Sequence, residues 1–326
     1  MDKSTINRRD FAKSAIAAAG AAIIPTAATA AHHAKHGKKP FKLLYAPGFR
    51  HFKMHAGAKL EGQTLIDHLR FMHSKGFRAI EDNGMMKRPV ADQVAVGKEL
   101  KALGMTMGVF VTGFGMYTYR LTGNRMNDDR KGKADLQAVR DSLQAECEKA
   151  VETAKRVNAK WTTVVLGAYD HNVGEEYQFV NVVENLKFCS KIFEPHGITM
   201  VLEPLNFINH PDVYLKTVPQ AYAICKAVNS RSCKILNDLY HQQIQIGNLI
   251  PNIDAAWDET AYIQVGDNPG RKEPTTGEIN YKNVFRHLYQ KGYKGIIGME
   301  HGISRKGIEG EVRLIEAYRE VDDFEV

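Results

Sequence analysis

The sequence predicts an α/β chain closed into a (β/α)8 barrel, and three observations point there. From residue 41 onward, short β-rich runs alternate with longer amphipathic stretches. Runs such as Thr106–Thr112 (TMGVFVT) and Trp161–Leu166 (WTTVVL) are nearly continuous rather than alternating in apolar character. Both faces of such strands should be buried, as in a parallel sheet covered by helices. Eight strand–helix units over about 285 residues fit a closed barrel, whose usual size is roughly 250 residues. An open doubly wound sheet is the competitor. It is disfavoured because no G-x-G-x-x-G turn follows the first apparent strand and polar residues recur after many strands.

Taken in order, the strands are expected at Phe41–Ala46, Arg78–Glu81, Thr106–Thr112, Trp161–Leu166, Thr199–Glu203, Lys234–Asp238, Ala261–Val265 and Gly295–Glu300. Helical periodicity fills the intervals at Thr64–Ser74, Val90–Leu103, Leu136–Asn158, Glu176–Glu194, Val218–Asn229, Tyr281–Gln290 and Glu309–Arg319. Gly76, Gly104, Gly197 and Gly292 stand where a helix should stop before the next strand. Gly113–Lys133 reads as a long loop with Tyr117 and Tyr119, a candidate lid over the barrel mouth.

The segment ahead of the barrel reads as an address. Arg8 and Arg9 are followed at short spacing by Phe11 and Lys13, then by an alanine-rich apolar run and a small-residue exit at Ala28-Thr29-Ala30. Adjacent arginines in that setting resemble a twin-arginine signal, so residues 1–30 are expected to be a leader read by the twin-arginine translocase. The mature chain is then periplasmic or otherwise exported. The run is too short and too weakly apolar for a stable membrane anchor. Residues 31–40, with His32, His33 and His36, read as a flexible linker, leaving 41–326 as the barrel domain.

The formal net charge of +7 is scattered, which excludes nucleic acid as the expected partner and leaves a small molecule. Cys147, Cys189, Cys225 and Cys233 form no C-x-x-C pair and read as buried free thiols, although Cys225 and Cys233 could approach each other across a helix-to-strand turn.

Chemistry enters with the strand ends. Glu203, Asp238, Gln264 and Glu300 fall at the C-terminal ends of the fifth to eighth expected strands. In a closed barrel those ends converge on one face, where active sites lie. Three carboxylates crowded there repel one another unless a cation holds them. Three acids and an amide oxygen form a hard-oxygen site suited to Mg2+ or Mn2+ and less to zinc, with zinc or cobalt as alternative ions. His241 follows Asp238 by three residues and is either a substrate hydrogen-bond donor or a satisfied structural histidine. Arg271, on a loop bent by Pro269 and Gly270, could clamp a substrate carboxylate or pair internally with Glu273 or Glu278.

These residues carry a family likeness. The segment QVGDNPGRKEPTTGEINYKNVF, residues 264–285, is similar to the signature of hydroxypyruvate isomerases within the xylose isomerase-like TIM barrels. VLEPLN, NDLYH and GMEHG resemble the companion segments in the same order. The resemblance implies one divalent ion, Mn2+ or Mg2+, held by Glu203, Asp238, Gln264 and Glu300. It implies Glu203 and Glu300 as the acid/base pair acting through a metal-stabilised enediolate, with His241 and Arg271 touching substrate. In the related ketose 3-epimerases the third ligand is usually histidine, so Gln264 favours the hydroxypyruvate isomerase branch. The chain departs from that branch in its leader and in His301-Gly302, where an aromatic and a basic residue are common.

The expected function is therefore isomerisation of a small hydroxy-keto acid or sugar, by a chain able to form a homo-oligomer. An exported keto-sugar epimerase or lyase would use the same site. A non-catalytic periplasmic sugar-binding protein would explain export but not three clustered acids. A multi-zinc DNA-repair endonuclease of the same barrel class would need more strand-end histidines than are present.

Overall fold

The computed structural model describes residues 40–126 and 132–326. The expected leader, residues 1–30, and residues 31–39 of the expected linker lie outside the described residues. Eight parallel strands are present: β1 (Leu44–Ala46), β2 (Ala79–Ile80), β3 (Thr106–Met107), β4 (Trp161–Val164), β5 (Thr199–Leu202), β6 (Cys233–Asp238), β7 (Thr260–Gln264) and β8 (Ile296–Gly298). Between them run α1 (Lys53–Ala56), α2 (Gln63–Ser74), α3 (Val90–Leu103), α4 (Arg120–Gly123), α5 (Leu136–Val157), α6 (Glu175–Phe193) and α7 (Val218–Val228). After β6 come α8 (Leu239–Gln245) and α9 (Leu249–Ala255), then α10 (Tyr281–Gln290) and the terminal α11 (Gly307–Asp322).

Six strands form one curled parallel sheet in the order β1-β8-β7-β6-β5-β4, and β2 pairs with β3. Single parallel bridges, Gly48↔Glu81 and Val111↔Thr163, join the two pieces at both seams and complete the ring. Helices cover its outside, as right-handed crossovers require. Most strands are shorter than the apolar runs that announced them. The run 106–112 pairs in the ladder only over Thr106–Met107, then returns at Val111. Apolar continuity reports burial on two faces, not the length of hydrogen-bonded ladder.

Local chemistry sets the helix ends. Asp135, Thr217 and Asn280 cap α5, α7 and α10, each accepting from a backbone N–H three residues on. Asn158 and Asn229 close α5 and α7 in the left-handed conformation that asparagine tolerates. Gly97 serves a different need: a Cβ there would lie 1.9 Å from the Arg156 carbonyl oxygen, so α3 and α5 touch backbone to backbone.

Two apolar cores result. The large one lies between the strands and the helices. The small one fills the barrel itself with Ala46, Ala79, Val109, Val201, Leu236, Tyr262 and Ile296, drawn from most of the strands. All four cysteines are buried and free. Among the described residues no helix is long and apolar enough to cross a membrane.

Two expectations are corrected. The interval between β6 and β7 carries α8 and α9, which the helical periodicity did not reveal because each is only 7 residues long. The loop expected at Gly113–Lys133 contains α4 and buries Tyr119, while Tyr117 is 49% exposed. Residues 127–131 of that loop lie outside the described residues.

The α3–α5 contact predicts that Gly97→Ala will destabilise the chain by about 1–3 kcal/mol through overpacking, despite about 1 kcal/mol gained in helix propensity. Urea unfolding of the variant against the wild type measures this. Equal stability would show that the two helices move apart at no cost.

Candidate active site

The strand ends converge as expected. Asp238 is the last residue of β6, Gln264 the last of β7, and the two are register partners. Glu203 follows β5 directly, and Glu300 lies two residues beyond β8. Glu203, Asp238 and Gln264 are buried, while a quarter of the Glu300 side chain reaches solvent. One donor atom each from Glu203, Asp238 and His241 lie within 4.8 Å of one another.

Glu300 does not join that tight group. Its carboxylate accepts from Asn83 Nδ2 at 2.7 Å and pairs with Arg271 Nη2 at 3.1 Å. The same Arg271 nitrogen donates to Asp238 Oδ2 at 2.9 Å, so the guanidinium bridges the two acids. The internal-pair alternative for Arg271 is corrected in its partners. Glu273 is taken by Ser304 and Glu278 by Asn268 and Gln243, whereas Arg271 turns inward to the rim. Gly270 and Arg271 both adopt positive φ, which swings the guanidinium back over the strand ends.

Asp238 is held twice. It caps α8 by accepting from Tyr240 N–H at 2.9 Å through Oδ1, which leaves Oδ2 to Arg271. His241, one turn further along α8, accepts at Nδ1 from the Asn206 backbone N–H (3.3 Å) and side-chain amide (2.7 Å). Two donors on Nδ1 place the ring proton on Nε2. That N–H faces Asp238 at 3.6 Å and Glu203 at 3.8 Å, and makes no hydrogen bond. Burial pushes the imidazole pKa down to about 4, so His241 is neutral and offers one donor to the site. With its lone pair engaged by Asn206, it is suited to donation rather than to metal ligation.

The acids show what crowding does. Burial, then Glu300 and Asp238, push the Glu203 carboxyl well above the usual carboxylate range. Burial raises Glu300 to about 7, opposed by Arg271 and reinforced by Asp238. Burial works against the charge on Arg271, but Asp238, Glu300 and Glu203 together more than offset it.

A fourth acid completes the cluster. Glu81 sits one residue beyond β2, is buried, and accepts through Oε2 from Tyr262 O–H at 3.1 Å and Gln264 Nε2 at 3.2 Å. Its carboxyl is raised well above its ordinary range by burial and then by Glu300. The strand-end rule that singled out the other acids applies equally here, because Glu81 closes the second expected strand; its isolation from the signature segments hid it. Asn83 and Asn206 carried no sequence signal, since each acts through a fold contact with a distant residue.

The donor set fits a divalent cation. The oxygens are hard, the acids outnumber the single guanidinium, and Gln264 Oε1 is a buried acceptor with no hydrogen-bond partner. Beside Glu300 and Arg271 a cavity of about 1120 Å3 opens toward the β1 and β2 ends, lined also by Arg50, Asn83, Lys87 and Arg88.

Comparison with known proteins bears on the fold. Residues 69–318 match the model of the family described as xylose isomerase-like TIM barrel. Hydroxypyruvate isomerase of Escherichia coli is 29% identical over 170 residues, 52% of this chain and 66% of that protein's length. 2-Oxo-tetronate isomerase of Cupriavidus necator is 27% identical over 73% of this chain and 87% of its own. The solved structure of 3-keto-D-glucoside 4-epimerase from E. coli superposes with a TM-score of 0.66, at 16% identity over 86% of this chain and 98% of that one. The last likeness shows the fold.

The raised Glu300 carboxyl has a consequence for metal-free protein. An acid that binds its proton more tightly in the native chain contributes stability below its ordinary value of 4.5, lost as pH rises through about 7. Glu300→Gln should therefore gain stability relative to wild type between pH 5 and 8. The gain should be roughly 1–2 kcal/mol, allowing for the solvent that reaches the side chain. Thermal or urea unfolding in chelator across that range measures it, and a flat difference contradicts the assignment.

Proposed function

The chain belongs to the xylose isomerase-like TIM barrel family, and on that premise we propose that it is a metal-dependent isomerase of a small hydroxy-keto acid or sugar, hydroxypyruvate isomerase-like, with Glu203 and Glu300 as its acid/base pair. The observation that carries this reading is the convergence of Glu203, Asp238, Gln264 and Glu300 on one barrel rim beside His241 and Arg271. Those first four residues would hold the ion, Mn2+ or Mg2+. When bound, the ion supplies Lewis-acid stabilisation for negative charge on substrate oxygens.

The rest follows from the chain's own groups. Moving a carbonyl along an α-hydroxy ketone removes a proton from one carbon and returns it to its neighbour. Burial raises the proton affinity of both Glu203 and Glu300, as it does that of Glu81, and Glu300 is brought to about 7, near working pH, where proton transfer is most effective. His241 presents Nε2–H, fixed by Asn206, to an oxygen on which charge develops. Arg271 stands at the mouth of the cluster, where a substrate carboxylate would compete with Asp238 and Glu300 for its guanidinium. Export through the twin-arginine route belongs to the same proposal and is supported by Arg8, Arg9 and the small-residue exit.

A second reading, a keto-sugar epimerase or lyase on the same residues, is favoured by one observation. The cavity beside Glu300 measures about 1120 Å3. Pockets up to roughly 1000 Å3 already hold drug-sized ligands, so a three-carbon acid would leave most of this one empty. Product identification by NMR with hydroxypyruvate, ketoses and 3-keto-glycosides separates the two readings.

Replacing Glu300 with Gln should lower turnover at least about 100-fold while Mn2+ still binds, more weakly. Steady-state rates and metal content of the purified variant test this together. A Gln variant with full turnover removes Glu300 from the acid/base pair.

A further inference from the structure

Gln264 is the odd member of the rim. An amide has two different edges, and only the oxygen edge can ligate a cation or accept from substrate. Rotation about its last side-chain bond exchanges those edges at little cost, so a glutamine ligand needs something to choose between them. The structure supplies a candidate. Glu81 Oε2 faces the Gln264 amide nitrogen at 3.2 Å. The Tyr262 hydroxyl donates to that same oxygen at 3.1 Å, so the oxygen meets the amide as an acceptor. The NH2 edge is therefore drawn to Glu81, and Oε1 is turned away, buried and without a hydrogen-bond partner.

Two glycines of the barrel interior make room for this contact. A Cβ on Gly298, the register partner of Gln264 on β8, would lie 2.0 Å from Glu81 Oε2 and 2.9 Å from Gln264 Cγ. A Cβ on Gly108 would lie 2.3 Å from the Tyr262 hydroxyl, which is the second donor to the same Glu81 oxygen. Tyr262 in turn is part of the small apolar core that plugs the barrel. Glu81 is thus fixed from below by a core residue and holds a rim residue above it.

We propose that Glu81 is a positioning residue for Gln264: it orients the amide so that its oxygen, not its nitrogen, faces the acid cluster, and it thereby sets the affinity of the centre for a divalent ion. This rests on the metal-centre reading given above. Glu81 also lines the cavity beside Glu300; in this role it acts through Gln264 and not on the ion or the substrate. Groups that orient a ligand in this way are worth about 10–100-fold in metal affinity.

The test is calorimetric titration of chelator-stripped full-length protein with Mn2+, alongside the visible spectrum of the Co2+-loaded form. Glu81→Met keeps the side-chain length and removes the acceptor; it should weaken Mn2+ binding by about tenfold or more and change the Co2+ bands. Glu81→Gln, whose amide oxygen can still accept from Gln264, should bind within a few-fold of wild type. Wild-type affinity in Glu81→Met overturns the proposal, as does equal loss in both variants. Should Glu81→Met fail to fold, the exchange Glu81→Gln with Gln264→Glu carries the test on side chains of unchanged size. The double variant, whose amide at position 81 can donate to the new acid, should bind Mn2+ more tightly than Gln264→Glu alone, where two acids face each other with no donor between them, and equal binding overturns the proposal. Wild-type protein that takes up no Mn2+, Mg2+ or Co2+ defeats the metal-centre reading itself, and this inference with it.

Discussion

Four buried or half-buried carboxylates at one rim of an apolar barrel set the terms for everything around them. Each ionised acid loses hydration and meets like charge at short range, so the cluster stands only where donors and cations compensate it. The compensation is unequal. Asp238 has a backbone N–H and Arg271, Glu300 has Asn83 and Arg271, and Glu81 has Tyr262 and Gln264. Glu203 has the approach of His241 at 3.8 Å. That separation is too long for a hydrogen bond. The least supported acid is thus the one best placed to take a proton or to face an added cation. One guanidinium against four acids leaves the rim short of positive charge, so Glu81, Glu203 and Glu300 hold protons more tightly than usual, and the proposed cation would serve the same need.

Much of this was legible in the sequence, and the reason is geometric. A barrel strand is buried on both sides and ends where its chain meets solvent, so an apolar run closed by an acid marks both a strand and its functional end. Thr199–Leu202 followed by Glu203, and Cys233–Asp238, are such cases. What stayed hidden depends on contacts distant in sequence. Glu81 meets Gln264 across 183 residues and Asn206 meets His241 across 35, and neither pair leaves a local pattern. The short helices after β6 were invisible for another reason. Two turns are too few for a hydrophobic period to declare itself.

The Arg271 loop shows how a single residue can be read correctly in kind and wrongly in partner. Sequence proximity pointed to Glu273 and Glu278, but Glu273 is buried and held by Ser304, while Asp267 gathers the backbone N–H groups of Thr276, Gly277 and Ile279. With the loop's own acids engaged by other partners, the guanidinium has no acid within the loop to hold it and turns to the strand ends. An arginine engaged in this way neutralises part of the cluster; under the proposed function a substrate anion would compete for it and change the charge balance of the rim.

The path from fold to site runs through Tyr262. Its ring belongs to the barrel plug, and its hydroxyl donates to Glu81, which receives Gln264, the register partner of Asp238. No loop intervenes in that chain of contacts. Loops are the mobile parts of most barrels, and a metal or proton-transfer site built on them inherits their motion. Here Asp238 and Gln264 end their strands, Glu203 and Glu300 follow theirs within two residues, and the glycines at 108 and 298 let the polar pair enter the core without pushing the strands apart. Under the proposed function, substrate choice would fall instead to the cavity on the β1 and β2 side, whose walls include loop residues such as Arg50, Asn83 and Lys87. That division lets the recognition surface differ from that of related barrels while the chemistry stays in place.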